Sequence, residues 1–196
     1  MKKGNNGRHQ SLPPISRDTA ATYIEYVIEA LSPYADIYPA GSYRRGKNMV
    51  GDLDFIICVK SDISLMDFWK YAQEYMGDPT IGGDIKYLPR KKEYKVARKA
   101  QYILDNIAVC DFYICEPDML GPMLLYLTGS ADHNRYMRFE ALKLGYTLSQ
   151  HGLKDRESGI FIGEQTEAGI FKSLKLEYKK PSERNLIYPE EKFLKK

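Results

Sequence analysis

The chain has 196 residues, 43% of them hydrophobic, and a formal net charge of +3, enough to bury a sizeable core as one compact domain or as a core with a smaller lobe attached. Mild basicity admits a polyanionic partner without requiring one, because where the charges sit matters more than their sum. No apolar stretch reaches bilayer length and the basic start MKKGNNGRHQ leads into no apolar run, which argues against a membrane span or a secretory signal and predicts a soluble, intracellular protein.

Residues 1–17, rich in Gly, Asn and basic side chains and carrying Pro13-Pro14, are predicted to form a flexible basic arm. From Asp18, which can cap a helix, Ala20, Ile24, Val27, Ile28 and Leu31 recur at helical spacing until Pro33 stops the run. Ala35 to Ala40 is predicted as a short strand ending at Gly41-Ser42, and Leu53 to Val59 as a second strand buried on both faces. Leu65 to Met76 places Leu65, Phe68, Trp69, Ala72 and Met76 on one helical stripe before Gly77. Lys95 to Leu104 and Ile107 to Cys115 read as an antiparallel pair joined by a turn at Asp105-Asn106. Glu116-Pro117-Asp118 breaks the sheet and marks a lobe boundary near Pro117. Beyond it come two helical stretches, a hairpin with a loop near Lys154 to Ser158, and a short helix from near Thr166. Cys58, Cys110 and Cys115 lie in apolar runs with no metal-binding spacing, as reduced packing residues do.

The stretch GSYRRGKNMVGDLDFIICV, from Gly41 to Val59, carries the chemistry. In an extended chain alternate side chains share a face, so Asp52 and Asp54 point the same way and repel each other. A hard dication, Mg²⁺ or Mn²⁺, is the natural compensation. Asp111 sits inside the apolar strand IAVCDFYIC, where an unpaired charge is costly. If that strand lies beside Leu53–Val59, the three carboxylates can hold two ions about 3.5–4 Å apart. Plainer readings stand beside this one: Asp52 opening a turn, and Asp111 pairing with an arginine. Gly41-Ser42 follows a strand, where free backbone N–H groups can meet a phosphate, and Arg44 and Arg45 are within reach of the same ligand. As structure alone, Arg-Arg-Gly is a solvated turn. Taken together, the parts suit phosphoryl transfer.

Gly-Ser, an intervening turn and Asp-x-Asp resemble the nucleotidyltransferase superfamily, and the fuller GSYRRGKNMVGDLD resembles the palm of the family X DNA polymerases. YLTGSADHNRYMRFEALKLGYTLSQHGL resembles the thumb of that family, and TEAGIFKSLKLEYKKPSERN its C-terminal pattern, so the likeness runs over about residues 20–185. The resemblance implies an α+β fold: a nucleotidyltransferase palm with a mixed or antiparallel sheet and flanking helices over 18–117, and a small α/β thumb lobe over 118–196. It implies that Asp52 and Asp54 bind two Mg²⁺ ions, with Mn²⁺ able to substitute, and that Asp111 joins the catalytic ion and activates the primer 3′-hydroxyl. Ser42, Arg45 and Gly51 would hold the triphosphate, Tyr126 and Gly129 would border the incoming sugar, Asn134 would contact the incoming base, and Arg138 would reach the template. Asn134 and Arg138 share a helix face in any case, beside a stripe of His133, Met137, Ala141 and Leu144, although a plain amphipathic helix shows that stripe too.

The implied activity is template-directed DNA synthesis, with gapped or primer-template DNA and deoxynucleoside triphosphates as partners of a monomer that fills short gaps in repair. The reduced length suggests palm and thumb alone, without a lyase domain. Leu127 stands where the family commonly has Phe, and Gln150-His151 where it commonly has an acidic residue followed by Tyr. The basic segment from Lys86 to Lys99, with Arg90, Lys91 and Lys92, either grips DNA phosphates or forms a solvated hairpin. The alternatives are a nucleotidyltransferase acting on tRNA, protein or a small molecule, which would share the palm without requiring the thumb, and a non-catalytic nucleic-acid-binding relic.

Overall fold

Among the described residues the first element is β1 (Ile15–Ser16), which runs directly into α1 (Arg17–Leu31). Ser16 caps this helix, its Oγ accepting the Thr19 amide, while Asp18 sits inside the first turn; the cap is therefore two residues earlier than expected. Ala20, Ile24, Val27 and Leu31 are its buried stripe. Then follow β2 (Ala35–Pro39), the single-turn α2 (Gly41–Arg44), β3 (Met49–Val50) and β4 (Leu53–Val59). β3 pairs antiparallel with β1, and Ile15 packs against the core, so the end of the expected 1–17 arm is tied down. The computed structural model describes residues 12–82, 85–88, 93–96 and 98–185, with side chains outside 81–97.

α3 (Leu65–Met76) is capped by Ser64 and ends at Gly77, whose φ of 76° suits a residue without a Cβ. It buries Phe68, Trp69, Ala72 and Met76, with Leu65 at the margin. The strands β5 (Ile81–Gly82), β6 (Ile85–Leu88), β7 (Glu93–Val96), β8 (Lys99–Leu104) and β9 (Ala108–Ile114) follow. The single strand expected from Lys95 to Leu104 is thus two: Lys95 belongs to β7, which pairs with β6, and β8 starts at Lys99. The turn also differs. A two-residue loop at Asp105-Asn106 would set Leu104 opposite Ile107 and Gln101 opposite Cys110. The observed loop includes Ile107, which is exposed, and pairs Leu104 with Ala108 and Gln101 with Asp111. One added loop residue shifts which side chains meet across the ladder.

The main sheet has the order β2-β4-β9-β8-β5, with β4 and β9 parallel and the other neighbours antiparallel. Strand alternation sends Leu53, Phe55 and Ile57 of β4, and Cys110, Phe112 and Ile114 of β9, into one core with α1 and α3. Ile56 and Cys58 face the other way, with Cys115. All three cysteines are free and buried, as expected.

After a 3₁₀ turn at Pro117–Met119 come α4 (Leu120–Thr128), α5 (Ala131–Lys143), β10 (Tyr146–Ser149), β11 (Gly152–Asp155) and α6 (Glu167–Ser173). Their core is Leu125, Met137, Ala141, Leu153, Ile170, Phe171 and Leu174. α4 serves both lobes, because Leu120, Met123, Leu124 and Leu127 cover the second face of the main sheet while Leu125 enters the smaller core. The β10–β11 hairpin reverses at Gln150-His151. The loop expected near Lys154–Ser158 lies one step later, where the Asp155 amide donates to the Ile160 carbonyl and Lys154 bridges Phe161. The buried stripe of α5 is His133, Met137 and Ala141; Leu144 caps the helix and is exposed, so it drops out of the predicted stripe. Among the described residues no helix is long and apolar enough to cross a membrane.

Candidate metal and nucleotide site

Parallel pairing of β4 with β9 sets Asp54 directly opposite Asp111. Both point to the face opposite the α1–α3 core, because their neighbours Leu53, Phe55, Cys110 and Phe112 fill that core. Asp52 lies in the bend one residue before β4 and is exposed, whereas Asp54 is half-buried and Asp111 buried. One carboxylate oxygen from each lies within 4.8 Å of the others. Burial, followed by the charges of Asp52 and Asp111, pushes the Asp54 carboxyl up to about 8. Asp52 is also raised, first by lost hydration and then by Asp111. The cluster is short of positive charge, and its donors are all hard oxygens, which fits Mg²⁺ or Mn²⁺.

Asp111 has polar partners on both oxygens. Gln101 Nε2 donates to Oδ1 at 2.9 Å, and Lys99 Nζ lies 3.4 Å from Oδ2. Among the described residues its cationic partner is therefore a lysine, not the arginine of the plainer reading.

Gly41, at φ 57°, opens α2 against Asp54, and a Cβ there would run into Asp54 Oδ2. That close approach is the physical reason for glycine in the Gly-Ser pair. Ser42 Oγ is buried and has no hydrogen-bond partner among the described residues, an acceptor and donor left for a ligand. Gly51 is exposed, with nothing within 4 Å of where a Cβ would stand.

The two arginines do more than line a turn. Arg45 Nε donates to Asn185 Oδ1 at 3.0 Å and its NH1 to the Thr128 carbonyl. Burial lowers its pKa, while Asp54 and Asp52 act on it in the opposite sense. Arg44 forks onto Glu167, with NH1 at 3.0 Å and NH2 at 2.6 Å, and donates to Thr128 Oγ1 at 2.7 Å. Arg184 NH1 reaches the same Glu167 at 2.6 Å and is fully buried. Sequence reasoning missed Glu167 and Arg184; their separation along the chain leaves no local signal.

On the smaller lobe, Tyr126 is exposed at the end of α4 and its carbonyl accepts Asn134 Nδ2 at 2.6 Å. Gly129 ends α4 at φ 66°, beside Arg45. Tyr126, Asn134 and Arg138 line one small pocket with Pro122, Leu125, Leu148 and Ser149, so these three side chains lie together. Arg90, Lys91 and Lys92 lie outside the described residues.

The family model described as DNA polymerase beta palm matches residues 13–76, and that described as DNA polymerase beta thumb matches residues 123–185. DNA polymerase IV of Saccharomyces cerevisiae is 38% identical over 76 residues, 39% of this chain and 13% of that protein. DNA polymerase lambda of Rattus norvegicus is 28% identical over 80% of this chain and 30% of its own length. DNA-directed DNA/RNA polymerase mu of Homo sapiens is 25% identical over 94% of this chain and 44% of its own length. The chain thus spans less than half of each of these relatives. Palm and thumb patterns occur in order, the first holding Ser42, Asp52 and Asp54 and the second Tyr126, Asn134 and Arg138, and the chain belongs to the family X DNA polymerases.

Proposed function

We propose that the chain is a template-directed DNA polymerase that adds deoxynucleotides to a primer 3′-hydroxyl and fills short gaps in repair. The observation that carries this is the convergence of Asp52, Asp54 and Asp111 within 4.8 Å, beside the junction of palm and thumb. Asp52 and Asp54 would hold two Mg²⁺ ions, for which Mn²⁺ can substitute, and Asp111 would share the one nearer the primer. When bound, such ions neutralise charge on the attacking and leaving oxygens. Asp111, oriented by Gln101, accepts the proton of the primer hydroxyl. The unpartnered Ser42 hydroxyl donates to the triphosphate, and Arg45 and Gly51 flank it. Tyr126 and Gly129 border the sugar, Asn134 the incoming base and Arg138 the template. Arg90, Lys91 and Lys92 are assigned to backbone phosphates on charge alone. The same reading takes the protein as a monomer on gapped or primer-template DNA.

Primer extension on a one-nucleotide gap, with and without the template strand, tests this reading. Extension should require Mg²⁺ or Mn²⁺, follow the templating base, and disappear in folded Asp52→Ala, Asp54→Ala and Asp111→Ala proteins. Incorporation indifferent to the template would favour transfer to another acceptor, and near-normal turnover by folded Asp111→Ala would remove Asp111 from the metal site.

A further inference from the structure

We propose that Lys99 is a positioning residue for Asp111: an intramolecular cation that holds the third carboxylate in place and yields its side to a divalent ion. This rests on reading Asp52, Asp54 and Asp111 as metal ligands.

The register of β8 on β9 sets Gln101 opposite Asp111 and Lys99 opposite Tyr113, so the lysine is the diagonal neighbour of the carboxylate on the same sheet face. Its Nζ lies 3.4 Å from Asp111 Oδ2, donates to Tyr113 Oη at 3.0 Å and stands 4.6 Å from the tyrosine ring centre. Tyr113 Oη in turn lies 3.4 Å from the same Oδ2. The hydroxyl and ring therefore hold the ammonium against one oxygen, while Gln101 holds the other.

The two partners differ in kind. Gln101 is neutral and buried, and its bond to Oδ1 leaves Oδ2 available to a metal. Lys99 occupies the Oδ2 side with a full charge, and its side chain keeps 40% of its exposure, so it has somewhere to go. A flexible stem with a compact charge suits a cation that must leave, where a forked guanidinium would not. Arg45 cannot take this place while it is committed to Thr128 and Asn185. Lys99 thus offsets part of the mutual repulsion of the aspartates in the metal-free protein and competes with the ion that replaces it.

Mn²⁺ binding to the full chain, without DNA or nucleotide, read by the spin resonance of free Mn²⁺, tests this. Lys99→Met should bind Mn²⁺ roughly five- to fiftyfold more tightly than wild type, since a unit charge a few ångströms away is removed. Lys99→Arg, whose fork grips Asp111 more firmly, should bind Mn²⁺ no more tightly than wild type, and Lys70→Met, which removes an equal charge on α3, should change nothing. Should Lys99→Met fold poorly, Tyr113→Phe, which frees the ammonium from its tether, should shift affinity in the same direction by less. If wild type binds Mn²⁺ in an Asp111-dependent way while Lys99→Met binds it equally or more weakly, Lys99 is scaffold only and the proposal is overturned. Tightening in Lys99→Arg equal to that in Lys99→Met overturns it too. Wild-type binding that Asp111→Ala leaves intact overturns the metal reading itself, and this proposal with it.

Discussion

Asp54 concentrates the conflict in the site. Its ordinary carboxyl value of 3.8 is pushed to about 8 by burial and by the charges of Asp52 and Asp111. The folded state then holds the proton more tightly than the unfolded chain. The stability this gives is complete below the unfolded value and is lost as pH rises through the folded one. Metal-free protein should therefore melt at progressively lower temperature between about pH 4 and about pH 8. Asp54→Asn, similar in shape but uncharged, should flatten that decline. At the alkaline end Mg²⁺ should raise the melting temperature of wild type and not of Asp54→Asn. Thermal melts in chelator and in excess Mg²⁺ check both, and a wild-type profile with no alkaline decline would contradict the burial argument. The Asp-x-Asp spacing already implied repulsion in the sequence; its size depends on Asp111, which arrives from another strand.

Among the elements, α5 shows how much a period can tell. His133, Met137 and Ala141 bury one side, which leaves Asn134 and Arg138 on a neighbouring face of the same helix. Asn134 is tied to the Tyr126 carbonyl, but among the described residues Arg138 makes only a 3.3 Å contact to the Asn134 carbonyl and its side chain is exposed. Arg138→Ala should therefore leave the fold intact. If Arg138 engages the template when the nascent pair fits, its loss should slow correct insertion more than incorrect insertion. Loss of one charged contact suggests roughly ten- to a hundredfold in rate. Rates for all four deoxynucleotides on a one-nucleotide gap measure this, and an unchanged set of rates would remove Arg138 from the template contact. The β8–β9 pair is the opposite case. Its strands were visible as apolar runs, but its register turned on whether Ile107 belongs to the loop.

At the scale of the whole molecule, palm and thumb meet on a half-buried carboxylate. Glu167 of α6 takes Arg44 from the palm and Arg184 from the 3₁₀ turn at Pro181–Asn185, at 2.6 Å each for the shortest contacts. Burial alone would raise the Glu167 carboxyl, but hydrogen bonds and charge from the two arginines outweigh it and hold it below its ordinary value. Its contribution is present above the unfolded value of 4.5 and fades as pH falls through the lower folded one. Glu167→Gln leaves Arg184 buried without a counter-charge, which should cost about 3–5 kcal/mol. For a chain of this size that lowers the melting temperature by roughly 6–20 °C. Calorimetry at neutral pH measures it, and a change within about 0.5 kcal/mol would mean that apolar packing through α4 and the arginine contacts to Thr128 and Asn185 join the lobes without this ion pair.

Helical stripes, the buried strand at Leu53–Val59, the glycine that ends α3 and the Asp-x-Asp face were determined by the sequence itself. Each is set by side chains within a turn or two of one another, where spacing alone reports burial. Tertiary structure decided that Asp111 stands opposite Asp54, that Lys99 and Gln101 flank it, and that Arg44 and Arg184 share Glu167. These pairings depend on strand order, on a single added loop residue and on ion pairs between distant segments. Such choices are made by the free energy of the assembled core and its buried charges, which no local period records.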